Sequence, residues 1–240
     1  MIRTLAALIA LALPLAAFEL PKGSTQCIVG IAPDWNSSQV TLTAYTKVKG
    51  KWTPALKPWN GRLGKNGLIW GLGLHPLPAG AKVKREGDMR APAGVFRIGG
   101  AWGAHASIQK HPKLYYRQVT TRDLWVEDPA SPHYNKHLVL DHEPSTAWEK
   151  KAQMKQNDYP HTLKLFIAHN APPRVQPGMG SAIFFHIWRG GGSKPTAGCT
   201  TMEESKLREM IAWVNPDLQP VYVLLPRAEY QARKAEWKLP

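Results

Sequence analysis

One segment of this 240-residue chain carries a helical repeat; its other apolar runs are short and of strand length. Leu207, Met210, Ile211 and Val214 fall at i, i+3, i+4 and i+7, which predicts a helix over 202–214, stopped by Asn215-Pro216. Strand-length runs lie at 26–31 (QCIVGI), 39–48 (QVTLTAYTKV), 113–119, 136–141, 163–168 (LKLFIA), 181–188 (SAIFFHIW) and 221–225 (VYVLL). In the second, Val40, Leu42 and Ala44 alternate with threonines, and the 181–188 run is too apolar for an edge. RAPAGVFRIGGAWG reads as a Pro-Gly turn followed by a short strand, Val95 to Ile98, and Lys82 to Asp88 reads as a solvated loop. The 21 Pro and 20 Gly supply turns between these pieces. Many strands and one good helix predict a mainly β, α+β domain.

The first residues do not belong to that domain. Arg3, the apolar run Leu5 to Leu13, Pro14 and the small pair Ala16-Ala17 form the pattern of a secretory signal peptide over 1–17. The run is too short to span a bilayer. An exported, soluble protein is expected, periplasmic or otherwise outside the cytoplasm, with one domain over 18–240. The formal charge of +14 implies anionic partners. The basic residues are scattered, with no basic helix or arm, so anionic cell-wall polymer or an anionic membrane surface fits the compartment better than nucleic acid. Of the two cysteines, Cys27 lies in a strand run and Cys199 in a glycine-flanked turn. Neither placement suits a structural disulfide, so both are expected as free thiols.

Chemistry concentrates in HIWRGGGSKPTAGC, from His186 to Cys199. The three consecutive glycines let the chain reverse and bring histidine and thiol together. Thr201 and Glu204 have capping-box spacing, which puts Cys199 at or just before a helix N-terminus. The dipole and free N–H groups there would favour a thiolate, and with the Gly198 N–H could hold an oxyanion. From residue types alone, a core-facing histidine, a tight loop and an inert cysteine remain an alternative.

The surrounding blocks, GKNGLIWGLGLHPLP, KREGDMRAPAGVFRIGGAWG, LWVEDPASPHYN, IAHNAPPRVQPGMGSAIFFH and GSAIFFHIWRGGGSKPTAGCTTM, resemble one branch of the L,D-transpeptidase catalytic domain family, the YkuD type. The resemblance spans roughly Cys27 to Leu225. It implies a β-sandwich or open barrel with mixed sheets and one helix after the catalytic cysteine. It also implies Cys199 as acylated nucleophile, His186 as general base, Gly198 in the oxyanion region, and an Ile187 carbonyl orienting the histidine. Two positions depart from the family pattern. Ala197 stands where the family has histidine before glycine, and Thr201 stands two residues after cysteine where it has Arg or Asn. Substrate preference is the property those departures affect.

Substrate-contact candidates are Thr196, Ala197, Thr201, Trp125 and Asn135, the last two with Asp128 shaping the cleft. Arg189 and Lys194 are candidates for a substrate carboxylate or are ordinary surface charge. His133, His137 and His142, with Asp141 and Glu143, match no zinc spacing. Asp123, Glu127 and Asp128 read as an acid pair or as loop and turn-cap residues. No metal or organic cofactor is expected. The implied partners are peptidoglycan stem peptides, as acyl donor and acceptor, cross-linked through a Cys199 thioester. Rival readings are an L,D-carboxypeptidase resolving the same thioester with water, a non-catalytic wall-binding module, and a metal-dependent amidase. The attacked L–D bond, at stem residues 1–2 or 3–4, and the oligomeric state are left open.

Overall fold

The computed structural model describes residues 18–240, so the segment read as a signal peptide lies outside the described residues. In chain order the described elements are β1 (Gln26–Ala32), β2 (Gln39–Val48), β3 (Lys51–Pro54), β4 (Trp59–Arg62), β5 (Leu68–Trp70), β6 (Ala91–Gly103), β7 (Tyr116–Gln118), β8 (Asp123–Trp125), β9 (His137–Val139), α1 (Ala147–Lys151), β10 (Leu163–Ile167), β11 (Phe184–Ile187), β12 (Thr200–Met202), α2 (Glu204–Trp213), β13 (Val221–Pro226) and α3 (Arg227–Arg233).

Eight strands close a ring in the order β1-β13-β6-β10-β11-β12-β4-β2, with β2 pairing back onto β1. The β1–β13 and β11–β12 pairs are parallel and the other pairs of the ring antiparallel. The fold is therefore the expected mixed, mainly β architecture, a barrel closed by the β1–β2 pairing. Closure follows from the length of β2. Along one edge it pairs with β1 through Thr41–Thr46, and along the other with β4 through Gln39–Leu42 and with β3 through Tyr45–Val48. A closed ring leaves few unpaired edges. Its interior is filled by Ile28, Leu42, Phe96, Leu165, Phe185 and Tyr222, all essentially inaccessible.

Three expectations are corrected here. The described residues hold three α-helices rather than one, α1 being stabilised by a capping box of Thr146 and Glu149. The Pro-Gly pair at Pro92–Gly94 does not turn the chain, because β6 runs unbroken for 13 residues. Gly94 adopts φ 135 and makes room for the His75 ring, which would lie 1.9 Å from a Cβ there. The Lys82 to Asp88 stretch is not wholly solvated. Lys84 is buried, its Nζ bonded to Asp88 Oδ1 at 2.7 Å and Arg90 O at 2.8 Å.

Candidate active site

Strands β10, β11 and β12 lie side by side, and their register decides which residues meet. Lys164 pairs with His186, His186 with Thr201, and on the other side Lys164 with Trp102 of β6. Side chains alternate along a strand, so this row shares the outer face of the barrel with Phe166, Phe184 and Cys199. Leu163, Leu165, Ile167, Phe185, Ile187 and Met202 face inward and join the main core. Phe166 and Phe184 instead pack with Trp102, Trp125 and Met154 in a second cluster against Cys199. The segment between β6 and β10 supplies Trp125, Met154 and His161 to cover this face. Cys199 and His186 are thus diagonal neighbours on adjacent strands.

The chain crosses from β11 to β12 through 188–199. It turns at Gly190, Gly191 and Gly192, all with positive φ (56, 59 and 86). The returning limb is pinned by Thr196 N donating to Leu63 O at 2.9 Å and Lys65 N donating to Thr196 O at 2.8 Å. Thr196 Oγ1 donates to Cys199 O at 2.7 Å and accepts from Gly198 N at 3.0 Å. The Gly198 N–H is therefore engaged inside the loop, not free for an oxyanion. Thr196 holds the loop as well as lining the cavity. A Cβ at Gly198 would come within 3.0 Å of Arg90 O and 3.3 Å of Lys84 Nζ, so the residue allows close backbone approach.

Cys199 is not at a helix N-terminus. The β-branched pair Thr200-Thr201 enters β12, paired on both sides to β11 and β4, and that ladder outcompetes a first helical turn. Helix α2 begins at Glu204, with Glu203 as N-cap and no side-chain cap, so the expected Thr201–Glu204 box does not form. Without a helix dipole the thiol is governed by its surroundings. Burial raises it to about 11, against the Phe184 N–H bond to Sγ (3.4 Å) and the charges of Lys164 and Lys84. The Sγ–H donates to Ala182 O at 3.5 Å rather than to His186. His186 is lowered to about 3 by burial, then by His161, Lys164 and Arg189. Burial thus favours the neutral thiol and the neutral imidazole over a preformed ion pair. His186 Nδ1 bonds to Ile187 O at 2.8 Å, so Nδ1 carries the proton. Nε2 has no protein partner and is not sealed from solvent. That tautomer presents a proton acceptor.

A cavity of about 290 Å³ opens on the thiol, lined by Cys199, His186, His161, Thr196, Ala197, Thr201, Arg189, Lys194 and Lys65. Ala197 is exposed at its rim. Thr201 is buried and its Oγ1 has no hydrogen-bond partner. Arg189 is committed to an ion pair with Asp158. Trp125 and Asn135 lie behind the thiol instead of facing the cleft. Trp125 Nε1 donates to Asn135 Oδ1 at 2.9 Å, and the same oxygen accepts from Ala182 N at 3.0 Å. Asn135 also donates to His169 O and Asn170 O, fixing the segment whose Ala182 carbonyl meets Sγ.

The other candidates sit elsewhere. Asp123 is fully buried and holds Arg117, Thr120 and His137, while Asp128 Oδ1 accepts from Ala130 N in a turn. His142 pairs with Asp141 and Glu149, His133 is exposed, and Glu143 binds Arg122. Cys27 and Cys199 are both free, Cys27 inside the core.

Two residues were missed from the sequence. Lys164 is only 4% exposed, its Nζ donating to Met154 O at 3.0 Å. Burial lowers it to about 8, and its charge supports the thiolate in place of the expected dipole. The signal was a lone lysine in the apolar run LKLFIA. His161, just before that run, stacks on His186 with ring centroids 4.6 Å apart and planes 26° apart.

The L,D-transpeptidase catalytic domain (YkuD) model matches residues 60–223. Comparison with curated proteins gives no match. Among solved structures, two of the helical cell shape determining protein Pgp2 from Campylobacter jejuni, one a mutant, are similar at 15% identity. They cover 88% of this chain, with TM-scores of 0.40 and 0.38. The chain spans only 51% and 50% of theirs, about half the length of the Pgp2 chain. The matched stretch runs from β4 into β13 and takes in the loop, the thiol and both imidazoles, so this chain belongs to the L,D-transpeptidase catalytic domain (YkuD) family.

Proposed function

We propose that this chain is a peptidoglycan L,D-transpeptidase working through a Cys199 thioester. The observation that carries the reading is the tautomer of His186. Its Nδ1–H is tied to Ile187 O, and its free Nε2 shares one cavity with the only thiol that reaches a cleft among the described residues. Because burial favours the neutral form of both groups, the thiol proton moves to Nε2 as sulfur attacks the carbonyl of an L–D bond. The D-residue leaves as an amine, reprotonated by His186, and the acyl group stays on Sγ. A stem-peptide amine then displaces the thiol and forms the cross-link. The scattered positive charge suits an anionic wall polymer. The proposal includes export, on the signal pattern at 1–17.

The test is incubation with purified muropeptides and mass analysis. Cross-linked dimers are the expected product, with an acyl adduct on Cys199. Shortened monomers alone would make it a carboxypeptidase, and the mass lost identifies the bond cut. Cys199→Ala is expected to form neither adduct nor product; normal turnover by that variant would remove the thioester mechanism altogether.

A further inference from the structure

The imidazole that the family carries next to the glycine is replaced here by Ala197, yet the cavity still holds two imidazoles. The second is His161, at the end of a short 3₁₀ turn, Tyr159–His161. Its Nδ1 bonds Asp158 Oδ1 at 2.8 Å, and the other oxygen of Asp158 takes the Arg189 guanidinium. Its Nε2 has no protein partner and is not sealed from solvent. The two rings are stacked, each tied back at Nδ1, but their anchors differ. His186 leans on a neutral carbonyl; His161 leans on a carboxylate.

We propose that Asp158 and His161 form a second acid–base dyad, which takes a proton from the nucleophile that resolves the Cys199 thioester; this rests on the acyl-enzyme reading above. The groups facing His161 are Asp158 on its own turn, Lys164 on β10, His186 on β11 and Arg189 beyond it. His186 has Lys164, Arg189 and His161 around it and donates to no carboxylate, so an imidazolium there is suited only to a transient transfer. A proton that must wait for bulk solvent is better held on His161, where Asp158 compensates it. Burial and the Lys164 charge lower His161, against the Asp158 bond, and its Nε2 is the ring nitrogen left open to the cavity.

An acceptor ammonium gives one proton to His161 Nε2 and becomes a neutral amine. The amine nitrogen attacks the thioester carbonyl, the C–N bond forms and the C–S bond breaks. The second amine proton passes through His186 Nε2 to the leaving sulfur, restoring the thiol. The proton on His161 then goes to solvent. With water as nucleophile, His161 takes one of its protons and His186 returns the other to sulfur.

The experiment follows the acyl-enzyme by time-resolved intact-protein mass spectrometry during turnover of muropeptides. For His161→Gln the ratio of resolution rate to acylation rate is expected to fall by about 10²-fold, so the Cys199 adduct accumulates. Asp158→Asn is expected to shift the ratio in the same direction by a smaller factor. Hydroxylamine, neutral at pH 7, is expected to clear the adduct equally fast from wild type and His161→Gln. Unchanged turnover, equal slowing of both steps, or slow clearance by hydroxylamine as well would overturn the dyad. Failure of the wild-type protein to form any adduct would instead sink the parent reading. If His161→Gln is not folded by circular dichroism, Asp158→Asn carries the same comparison.

Discussion

The two faces of β10, β11 and β12 belong to the same three strands and do opposite things. Leu165, Phe185 and Thr200 form one row, facing into the barrel; Lys164, His186 and Thr201 form the next, facing out. The inner row is apolar or internally bonded, as where Thr200 Oγ1 meets Tyr222 OH at 3.1 Å. The outer row holds a buried ammonium, an imidazole with a free nitrogen and an orphaned hydroxyl. A period of two residues thus lets one sheet be core and reactive surface at once. Strain or loss on one face should register as stability, and on the other as chemistry.

The largest contrast lies between the two thiols. Cys199, on the outer face and raised to about 11, is expected to be alkylated by iodoacetamide at a rate climbing about tenfold per pH unit from 7 to 10, while Cys27 in the core stays unlabelled until unfolding. A rate independent of pH above 7 would mean a preformed thiolate–imidazolium pair and would break the comparison. Next in size is the inner row. Phe185→Ala is expected to cost about 3–5 kcal/mol by urea denaturation while leaving Cys199 alkylation per folded molecule within about twofold. A change in alkylation larger than the stability loss explains would show the faces to be coupled. The smallest effect comes from Thr201→Val, which replaces an unpartnered buried hydroxyl by a methyl. Stability is expected to rise by about 1 kcal/mol with KM for muropeptides unchanged, because the hydroxyl is sealed from the cavity. A raised KM would show that the outer face opens far enough for the hydroxyl to meet substrate.

What the sequence disclosed was local. The alternation in QVTLTAYTKV matches β2 residue for residue, and Leu207, Met210 and Ile211 are buried on α2 as their spacing required. The glycines between His186 and Cys199 make the return that their freedom allows. What it hid was set by tertiary pairing. Three residues, Thr200 to Met202, cannot advertise a strand when their partners are Phe185 and Arg62, far away along the chain. That hidden strand removed the helix terminus from the thiol. Lys84 reads as solvated and Lys164 draws no notice in its apolar run, because burial of a lysine depends on what covers it, here Asp88 and Arg90 for one and Met154 for the other. His161 gave no sign of its role, since the ring it stacks on lies 25 residues onward on another strand.

The separation of the two cysteines also sets the fate of the protein under oxidants. Cys27 is sealed inside the barrel and Cys199 lies on its outer face. A sulfenic acid formed on Cys199 has no second thiol within the chain to condense with, so it is not captured as a reversible internal disulfide. Peroxide exposure therefore drives the residue toward the sulfinic state unless an external thiol intercepts it. The same geometry that leaves one thiol for chemistry leaves that thiol without a built-in redox safeguard.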